Sequence, residues 1–205
     1  MSEINSGEPR TKGRPPSIDR VAALDAAVLT FWEKGYDGTS LTDLTDAMKV
    51  SRPSLYSAFG DKAKLFDAAL LRYAQTIGSA AMVAFQAEPD IEKAVRTFLR
   101  VSAEGNTAKG RPSGCLIGCC APAAAESDPD VRQRLDDLMS ATESQLALRF
   151  AAEPDLPSVP EPTARAALML DFLYAQAIRA RAGASRADLM DGLNTRVQAV
   201  LGYQT

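Results

Sequence analysis

Apolar residues recur every three or four positions along most of the chain, which is the spacing of one face of an α-helix. In the first such stretch, Val21, Leu24, Val28 and Phe31 follow this rule. Alanine is frequent and runs of β-branched residues are scarce, which also favours helix. The pattern predicts helices over 18–34, 41–48, 52–59, 62–87, 91–104, 115–126, 130–152, 163–181 and 185–201. The chain is therefore predicted to be all-α, with about nine helices.

Two of these predicted helices are short and close together. Ser40 is placed to cap the first, with Asp43 as its partner in a capping box, and Ser51 is placed to cap the second. Pro53 is tolerated because it falls in the first turn, where the amide has no helical partner. Two short helices joined by a three-residue turn are typical of a helix-turn-helix.

The composition excludes several classes of function. The 205 residues include no histidine, so neither a Ser-His-Asp or Cys-His catalytic set nor a histidine-containing zinc site can form. There is no P-loop, no GxGxxG segment after a strand, and no apolar run long enough to span a membrane. The polar start of the chain is not typical of a secretory signal. We expect a cytoplasmic protein that is not an enzyme, with no catalytic residues, no metal, no cofactor and no membrane partner.

The charge distribution matters more than the total charge. A formal net charge of −3 does not favour nucleic-acid binding. Basic residues nevertheless crowd the start of the chain, at Arg10, Lys12, Arg14 and Arg20. Residues 1–16 are interpreted as a flexible basic arm. Such an arm either enters the minor groove of DNA or remains a solvated tail, and the sequence leaves both interpretations open.

A continuous motif gives the chain a family resemblance. It reads Phe31-Trp32-Glu33-Lys34-Gly35-Tyr36-Asp37-Gly38-Thr39-Ser40-Leu41, then Val50-Ser51-Arg52-Pro53-Ser54-Leu55-Tyr56, and ends with Phe59, Lys62 and Leu65. The stretch from Ile18 to Tyr73 resembles the N-terminal DNA-binding domain of the TetR family of bacterial regulators. The rest resembles the ligand-binding and dimerisation domain of that family only loosely, although Gly114-Cys115-Leu116 is similar to a segment found in a subset of members.

The resemblance implies roles for individual residues. The helix after Ser51 would lie in the major groove of DNA, with Tyr56 contacting phosphate. Ala58 stands where the family often has a histidine, which removes one possible phosphate contact. Base edges would face Arg52, Pro53 and Ser54, and the DNA backbone would be reached by Lys62, Thr39 and Ser40. The predicted DNA-binding residues are Arg14, Thr39, Ser40, Ser51, Arg52, Pro53, Ser54, Tyr56, Ser57 and Lys62.

Elementary chemistry agrees with these roles. Arginine can form a bidentate contact with guanine that contributes about 1–3 kcal/mol of discrimination. The free amides at a helix N-terminus attract phosphate. Two alternatives stay open from the residues alone, since Arg52 could form a surface ion pair and Tyr56 could be a half-buried core residue.

Three cysteines, Cys115, Cys119 and Cys120, lie close together in the sequence. On a helix, Cys115 and Cys119 are four residues apart and share a face, so a thiolate of low pKa there could sense oxidants or electrophiles. The alternative is that these cysteines are small buried residues in a tightly packed helix. The sequence leaves both interpretations open.

The C-terminal helices carry two further sets of candidate residues. A pocket between helices is a common binding site, and the candidates for an effector pocket or sensor are Tyr73, Met82, Phe85, Phe98, Cys115, Cys119, Met139 and Phe172. The candidates for a dimer interface are Ala175, Ile178, Leu189, Leu193, Val197 and Val200. Packing within a single chain is the alternative interpretation of both sets.

Together these features predict a sequence-specific DNA-binding transcriptional regulator, namely a repressor released from a palindromic operator by a small-molecule effector. The predicted domains are the arm over 1–16, the helix-turn-helix domain over 17–62, and an effector-binding and dimerisation domain over 63–205. The expected partners are double-stranded DNA, a second copy of the chain and an unidentified small-molecule effector. The alternatives are a thiol-based sensor acting through Cys115 and a thiol enzyme.

Overall fold

The computed structural model describes residues 19–203, and the regular structure in that range is helical. Its helices are α1 (Arg20–Lys34), α2 (Leu41–Met48), α3 (Arg52–Phe59), α4 (Lys62–Gln75), α5 (Ala80–Ala87), α6 (Ile91–Asn106), α7 (Leu116–Ser127), α8 (Pro129–Ala151), α9 (Pro162–Arg181), α10 (Arg186–Met190) and α11 (Leu193–Leu201). None of them is long and apolar enough to cross a membrane. The all-α prediction is confirmed. The predicted arm over 1–16, including Arg14, lies outside the described residues.

The ends of the first helices are determined by residues only a few positions away. Asp19 caps α1 by accepting hydrogen bonds from two backbone N–H groups at 3.1 Å. Ser40 and Asp43 form the predicted reciprocal capping box of α2, and Ser51 caps α3. Gly35 ends α1 with φ 74°, a conformation that strains residues with a side chain. Local chemistry therefore specifies this part of the fold.

The single helix predicted over 62–87 is wrong, because the chain breaks between α4 and α5. Thr76 leaves the helical region with φ −115° and ψ −87°. The Gly78 N–H then donates to the carbonyl of Tyr73 at 2.8 Å, and a Cβ at Gly78 would lie 3.1 Å from the Tyr73 ring. The apolar spacing continues across the break, so periodicity did not reveal it.

The helix predicted over 185–201 is also divided. Gly192 takes the left-handed conformation, with φ 70°, and separates α10 from α11. Ser185 and Asp188 form a second capping box at the start of α10. These two divisions explain why residues 19–203 form eleven helices where about nine were expected.

The buried residues form two main clusters. The first contains Phe31, Trp32 and Phe66 from α1 and α4, and it continues into α7 through residues such as Ala121. The second contains Phe85, Phe98, Phe150 and Met169, and joins α5, α6, α8, α9 and α11. Because α7 belongs to the first cluster, the N-terminal helices and the C-terminal bundle share a continuous packed surface.

The small residues of α7 allow close helix contacts. A Cβ at Gly118 would lie 2.6 Å from the Tyr174 ring on α9. Just before α7, Gly114 has φ 83°, and a Cβ there would lie 2.7 Å from the carbonyl oxygen of Ala177. Real Cβ atoms do not approach other atoms this closely. The Gly114-Cys115-Leu116 segment is therefore a packing feature of the junction between α7 and α9.

Candidate DNA-binding surface and ligand cavity

Helices α2 and α3 form the expected helix-turn-helix. Lys49 adopts the left-handed conformation with φ 54°, and Val50 and Ser51 complete the turn between the helices. The Ser51 hydroxyl accepts a hydrogen bond from the Ser54 N–H at 3.3 Å and lies 2.8 Å from the Ser54 hydroxyl. Leu55 is buried with 1% of its surface exposed, which anchors α3 to the core.

The opposite face of α3 is open to solvent. Arg52, Pro53, Tyr56 and Ser57 are all exposed, and Tyr56 leaves 48% of its surface uncovered despite being aromatic. The structure therefore brings these predicted residues together on one face at the start and middle of α3. The core interpretation of Tyr56 does not fit this exposure.

Arg52 is oriented by a residue that sequence reasoning missed. One of its guanidinium nitrogens donates to the hydroxyl of Thr42 on α2 at 2.9 Å. Among the described residues, no carboxylate pairs with Arg52 within 4.0 Å, so the surface ion-pair alternative is not supported. Thr42 directly precedes the capping-box residue Asp43. This position in the first turn of α2 is the sequence feature that could have identified Thr42.

The neighbouring polar residues are held in different ways. Lys62 is half-buried, and its ammonium group lies 4.4 Å from the centre of the Tyr36 ring. Arg20, which was not among the predicted site residues, lies with its guanidinium 5.0 Å from the Phe59 ring at the end of α3. Ser40 is exposed, although its hydroxyl and N–H both bond to Asp43.

The predicted role of the Thr39 side chain in DNA binding is wrong. Thr39 is buried, with 1% of its surface exposed. Its hydroxyl donates to the carbonyl oxygen of Gly35 at 2.6 Å, which satisfies a carbonyl at the end of α1. The side chain thus stabilises the corner between α1 and α2 and does not lie on the exposed surface around α3.

A cavity of about 520 Å³ lies between α4, α5, α6, α7, α8 and α9. Four of the predicted pocket residues line it, namely Tyr73, Met82, Phe98 and Cys115. At one side its wall includes exposed residues on either side of the α4–α5 break and on α8, such as Gln75, Ala80 and Gln145. The break that the sequence did not reveal therefore forms part of the cavity mouth.

The other four predicted pocket residues do not line the cavity. Phe85 is buried in the second core cluster, where its ring lies 5.9 Å from that of Phe98. Phe172 packs against the same cluster, and Cys119 packs against the first. Met139 is half-buried on α8 outside the cavity lining. Their apolar character was interpreted correctly, but it contributes to packing.

Polar residues deep in the cavity were missed. Asn106 is 5% exposed, and Arg111 lies in the loop before α7. The signal for Asn106 was present, because Phe98, Ser102 and Asn106 share one face of α6 at four-residue spacing. A polar residue that continues an apolar stripe is a candidate for the wall of a cavity.

Cys115 and Cys120 lie in surroundings that raise the pKa of the thiol. Burial raises the pKa of the Cys115 thiol, and hydrogen bonds from Gly118 and from the Tyr73 hydroxyl only partly oppose this shift. Burial also raises the pKa of Cys120, whose sulfur lies 3.1 Å from a guanidinium nitrogen of Arg181. A reactive thiolate needs a lowered pKa, so the environment of Cys115 favours the packing interpretation.

Only part of the predicted dimer interface is available to a second chain. Ala175 and Ile178 on α9 are exposed, with 57% of the Ile178 surface open. Leu193 is half-buried. In contrast, Leu189, Val197 and Val200 are buried in the chain's own clusters, so this part of the interface prediction is corrected. The apolar stripe of α10 and α11 covers α6 and α9 of the same chain.

Comparison with known sequences identifies relatives along most of the chain. Residues 23–69 match the family model described as bacterial regulatory proteins, tetR family. The HTH-type transcriptional repressor ComR of Escherichia coli is 31% identical over 194 residues, which cover 92% of each protein. The repressor BdcR of the same organism is 29% identical over 56% of this chain and 58% of its own length.

Solved structures show the same fold. A cysteine mutant of the TetR family regulator CifR, complexed with a 26-base-pair double-strand operator DNA, matches with a TM-score of 0.83 and 29% identity. That match covers 91% of this chain and 99% of the CifR chain. A putative TetR regulator from Rhodococcus sp. RHA1 is 32% identical, with a TM-score of 0.55, over 89% of this chain and 99% of its own. The chain therefore belongs to the TetR family of bacterial transcriptional regulators, with a helix-turn-helix DNA-binding domain at its N-terminal end.

Proposed function

We propose that the chain is a cytoplasmic homodimeric repressor that binds a palindromic operator through α3 and releases it when a small effector occupies the cavity. The observation that carries this proposal is the open face of α3, where Arg52, Pro53 and Tyr56 stand clear of the core. Both the repressor ComR and the operator-bound CifR resemble this chain over about nine-tenths of its length. In the proposal, the tip of α3, formed by Arg52, Pro53 and Ser54, contacts the edges of the DNA bases.

Phosphate contacts would surround this tip. The free amides at the start of α3 and α4 point outward from helix N-termini, which attract phosphate. The candidates that follow the tip are Tyr56 and Ser57 on α3 and Lys62 at the start of α4. Ser40, just before α2, adds an exposed hydroxyl. Arg20 and Thr42 join the proposed surface, the first by its charge and the second by orienting Arg52.

A dimer follows from the size of the recognition helix. Helix α3 has eight residues, so one copy contacts few base pairs, and two copies are needed for a specific site. The exposed apolar residues Ala175 and Ile178 on α9 are the proposed centre of the contact between protomers. In this proposal, residues 17–62 bind DNA and residues 63–205 bind the effector and the second protomer.

Contacts between the two ends of the molecule support coupling of effector binding to DNA release. Trp32 of α1 packs edge-on against Tyr73, which lines the cavity, with ring centres 5.1 Å apart. On α9, Arg181 donates to the carbonyl oxygen of Trp32 at 2.5 Å. Effector binding would favour a dimer in which the two α3 helices no longer match successive grooves.

The test is fluorescence anisotropy with labelled DNA from upstream of the protein's own gene and with scrambled DNA, at physiological salt. We expect tight binding to one site, with two protomers or a multiple of two per site. A titration of the protein into labelled DNA, held at a concentration well above the dissociation constant, gives the number of protomers bound per site. Equal and weak binding to every upstream segment and to scrambled DNA would overturn the proposal, since specificity is a ratio of affinities.

A further inference from the structure

Two buried nitrogen donors in the cavity lining have no acceptor. They are the side-chain amide nitrogen of Asn106 and the Nε of Arg111, and neither has a hydrogen-bond partner among the described residues. Both residues line the cavity. An unpaired buried donor destabilises the protein, so such groups are usually satisfied by a ligand or by water.

The charge of Arg111 is also unbalanced. Within the part of the chain that the structure describes, no carboxylate lies within 4.0 Å of its guanidinium. Its protein contacts are one hydrogen bond to the carbonyl oxygen of Gly105 at 3.2 Å and a position 5.7 Å from the Trp32 ring centre. Glu104 also lines the cavity, but it pairs with Arg100 at 2.9 Å. The guanidinium of Arg111 is therefore an uncompensated positive charge in the cavity lining.

A fully buried arginine, Arg165, shows what a purely structural role looks like in this fold. Arg165 is 1% exposed and donates to the carbonyl oxygens of Val200 at 2.6 Å and Pro157 at 2.7 Å. These hydrogen bonds connect α9 to the end of α11 and to the loop that precedes α9. Arg111 differs because its Nε remains unpaired while the residue faces an open cavity.

The remaining walls define the rest of the ligand. They are largely apolar, with Phe98, Ile117, Leu138 and Leu173 among them. The volume of about 520 Å³ falls within the range of about 300–1,000 Å³ that is typical of small-molecule sites. The cavity thus suits a molecule with an apolar body and one polar end.

We propose that the cavity binds a small monocarboxylic acid with an apolar body, whose carboxylate accepts hydrogen bonds from Arg111 and Asn106. A guanidinium matches a carboxylate in shape and charge, and a single cation balances a single negative charge. A phosphate monoester would bring nearly two negative charges against one base. This inference rests on the proposed function, because it names the chemical class of the effector in that same cavity.

The test compares acids with neutral molecules of the same shape. Octanoate and 4-phenylbutanoate are titrated into the full-length protein by calorimetry, each beside its primary amide. We expect each acid to bind about 10- to 100-fold more tightly than its amide, as lost charged hydrogen bonds imply. Trp32 is the single tryptophan and lies next to Arg111, so its fluorescence should change with the acids.

Two variants locate the binding site. Arg111→Gln should lose the preference for acids, whereas Lys109→Gln should keep it. Lys109 makes a matched control because it lies in the same loop and carries the same charge, but it is exposed and does not line the cavity. A Lys109→Gln variant that loses the preference equally would contradict the proposal.

The comparison of acids with their amides in the unmodified protein tests the carboxylate proposal even if a variant misfolds. Amides that bind as tightly as acids, or binding of neither series at millimolar concentration, would overturn the carboxylate proposal. Operator binding by anisotropy in the same samples tests the proposed function separately. A protein that binds its operator specifically but prefers amides remains a repressor with a different effector class.

Discussion

The two ends of this molecule differ in how their polar groups are hydrogen-bonded. In the head, which we define as α1–α4, the caps Ser40, Ser51 and Asp61 bond to backbone N–H groups within three residues. In the body, α5–α11 with their loops, Asn106, Arg111 and Gln176 keep buried polar side-chain atoms without partners, and among the described residues of the head the Nε1 of Trp32 does so. The helix ends of the head are therefore held by local hydrogen bonds, whereas Asn106 and Arg111 in the body line a cavity whose ligand could satisfy them.

The largest expected effect is on the head. Arg52→Ala should weaken operator binding by about 1–3 kcal/mol at each half-site, or about 2–6 kcal/mol for the proposed dimer, because the bidentate base contact proposed for Arg52 would be lost. Anisotropy on operator and scrambled DNA measures this. Arg52→Lys retains the charge and should keep non-specific affinity while losing discrimination. Unchanged operator affinity in Arg52→Ala would remove this residue from base recognition.

In the body, the close packing of the α7 junction gives the next largest effect. Gly114→Ala should lower the free energy of unfolding by about 2–5 kcal/mol, since it adds strain at positive φ and a clash with the Ala177 carbonyl. Gly110→Ala is the matched control, because Gly110 has φ 82° but a Cβ added there would have no neighbour within 4 Å. Urea denaturation measures both variants, and equal losses would show that the clash is relieved.

One hydrogen bond between head and body can be removed at a single side chain. Arg181→Met removes the hydrogen bond to the Trp32 carbonyl and should cost about 1–2 kcal/mol of stability. It should also reduce the release of operator DNA at saturating effector. Arg179→Met serves as the control, because Arg179 bonds within the body to the Asp188 carbonyl. Normal effector-induced release in Arg181→Met would show that coupling takes another route.

The smallest effect compares two equivalent caps. Ser40 begins α2 in the head and Ser185 begins α10 in the body, each in a reciprocal capping box with an aspartate. Either serine changed to alanine should lose about 0.5–2 kcal/mol of stability. Only Ser40→Ala should also weaken operator binding, because α2 positions Arg52. Thermal unfolding and anisotropy together separate the two results.

Most of the head was predictable because its determinants are local. The caps of α2, α3 and α4 and the turn between α2 and α3 depend on residues within a few positions, and these were predicted correctly. The predicted start of α1 at residue 18 was too early, because Asp19 caps this helix. The burial of Thr39 was also missed, since it follows from the packing of the corner after α1. In the body, apolar cavity residues such as Tyr73 and Phe98 were found by type, but Phe85 was misplaced because type does not distinguish a cavity wall from a core.

The sequence by itself determined the helical class, the helix-turn-helix and the family, because hydrophobic period and capping act over short distances. Only the tertiary structure decided where the chain breaks after α4, which stripes are buried within the chain, and that Arg111 lies against Trp32 in the lining of a cavity. The buried stripes and the Arg111–Trp32 contact join residues far apart along the chain. Their geometry depends on how whole helices pack, which no local pattern records.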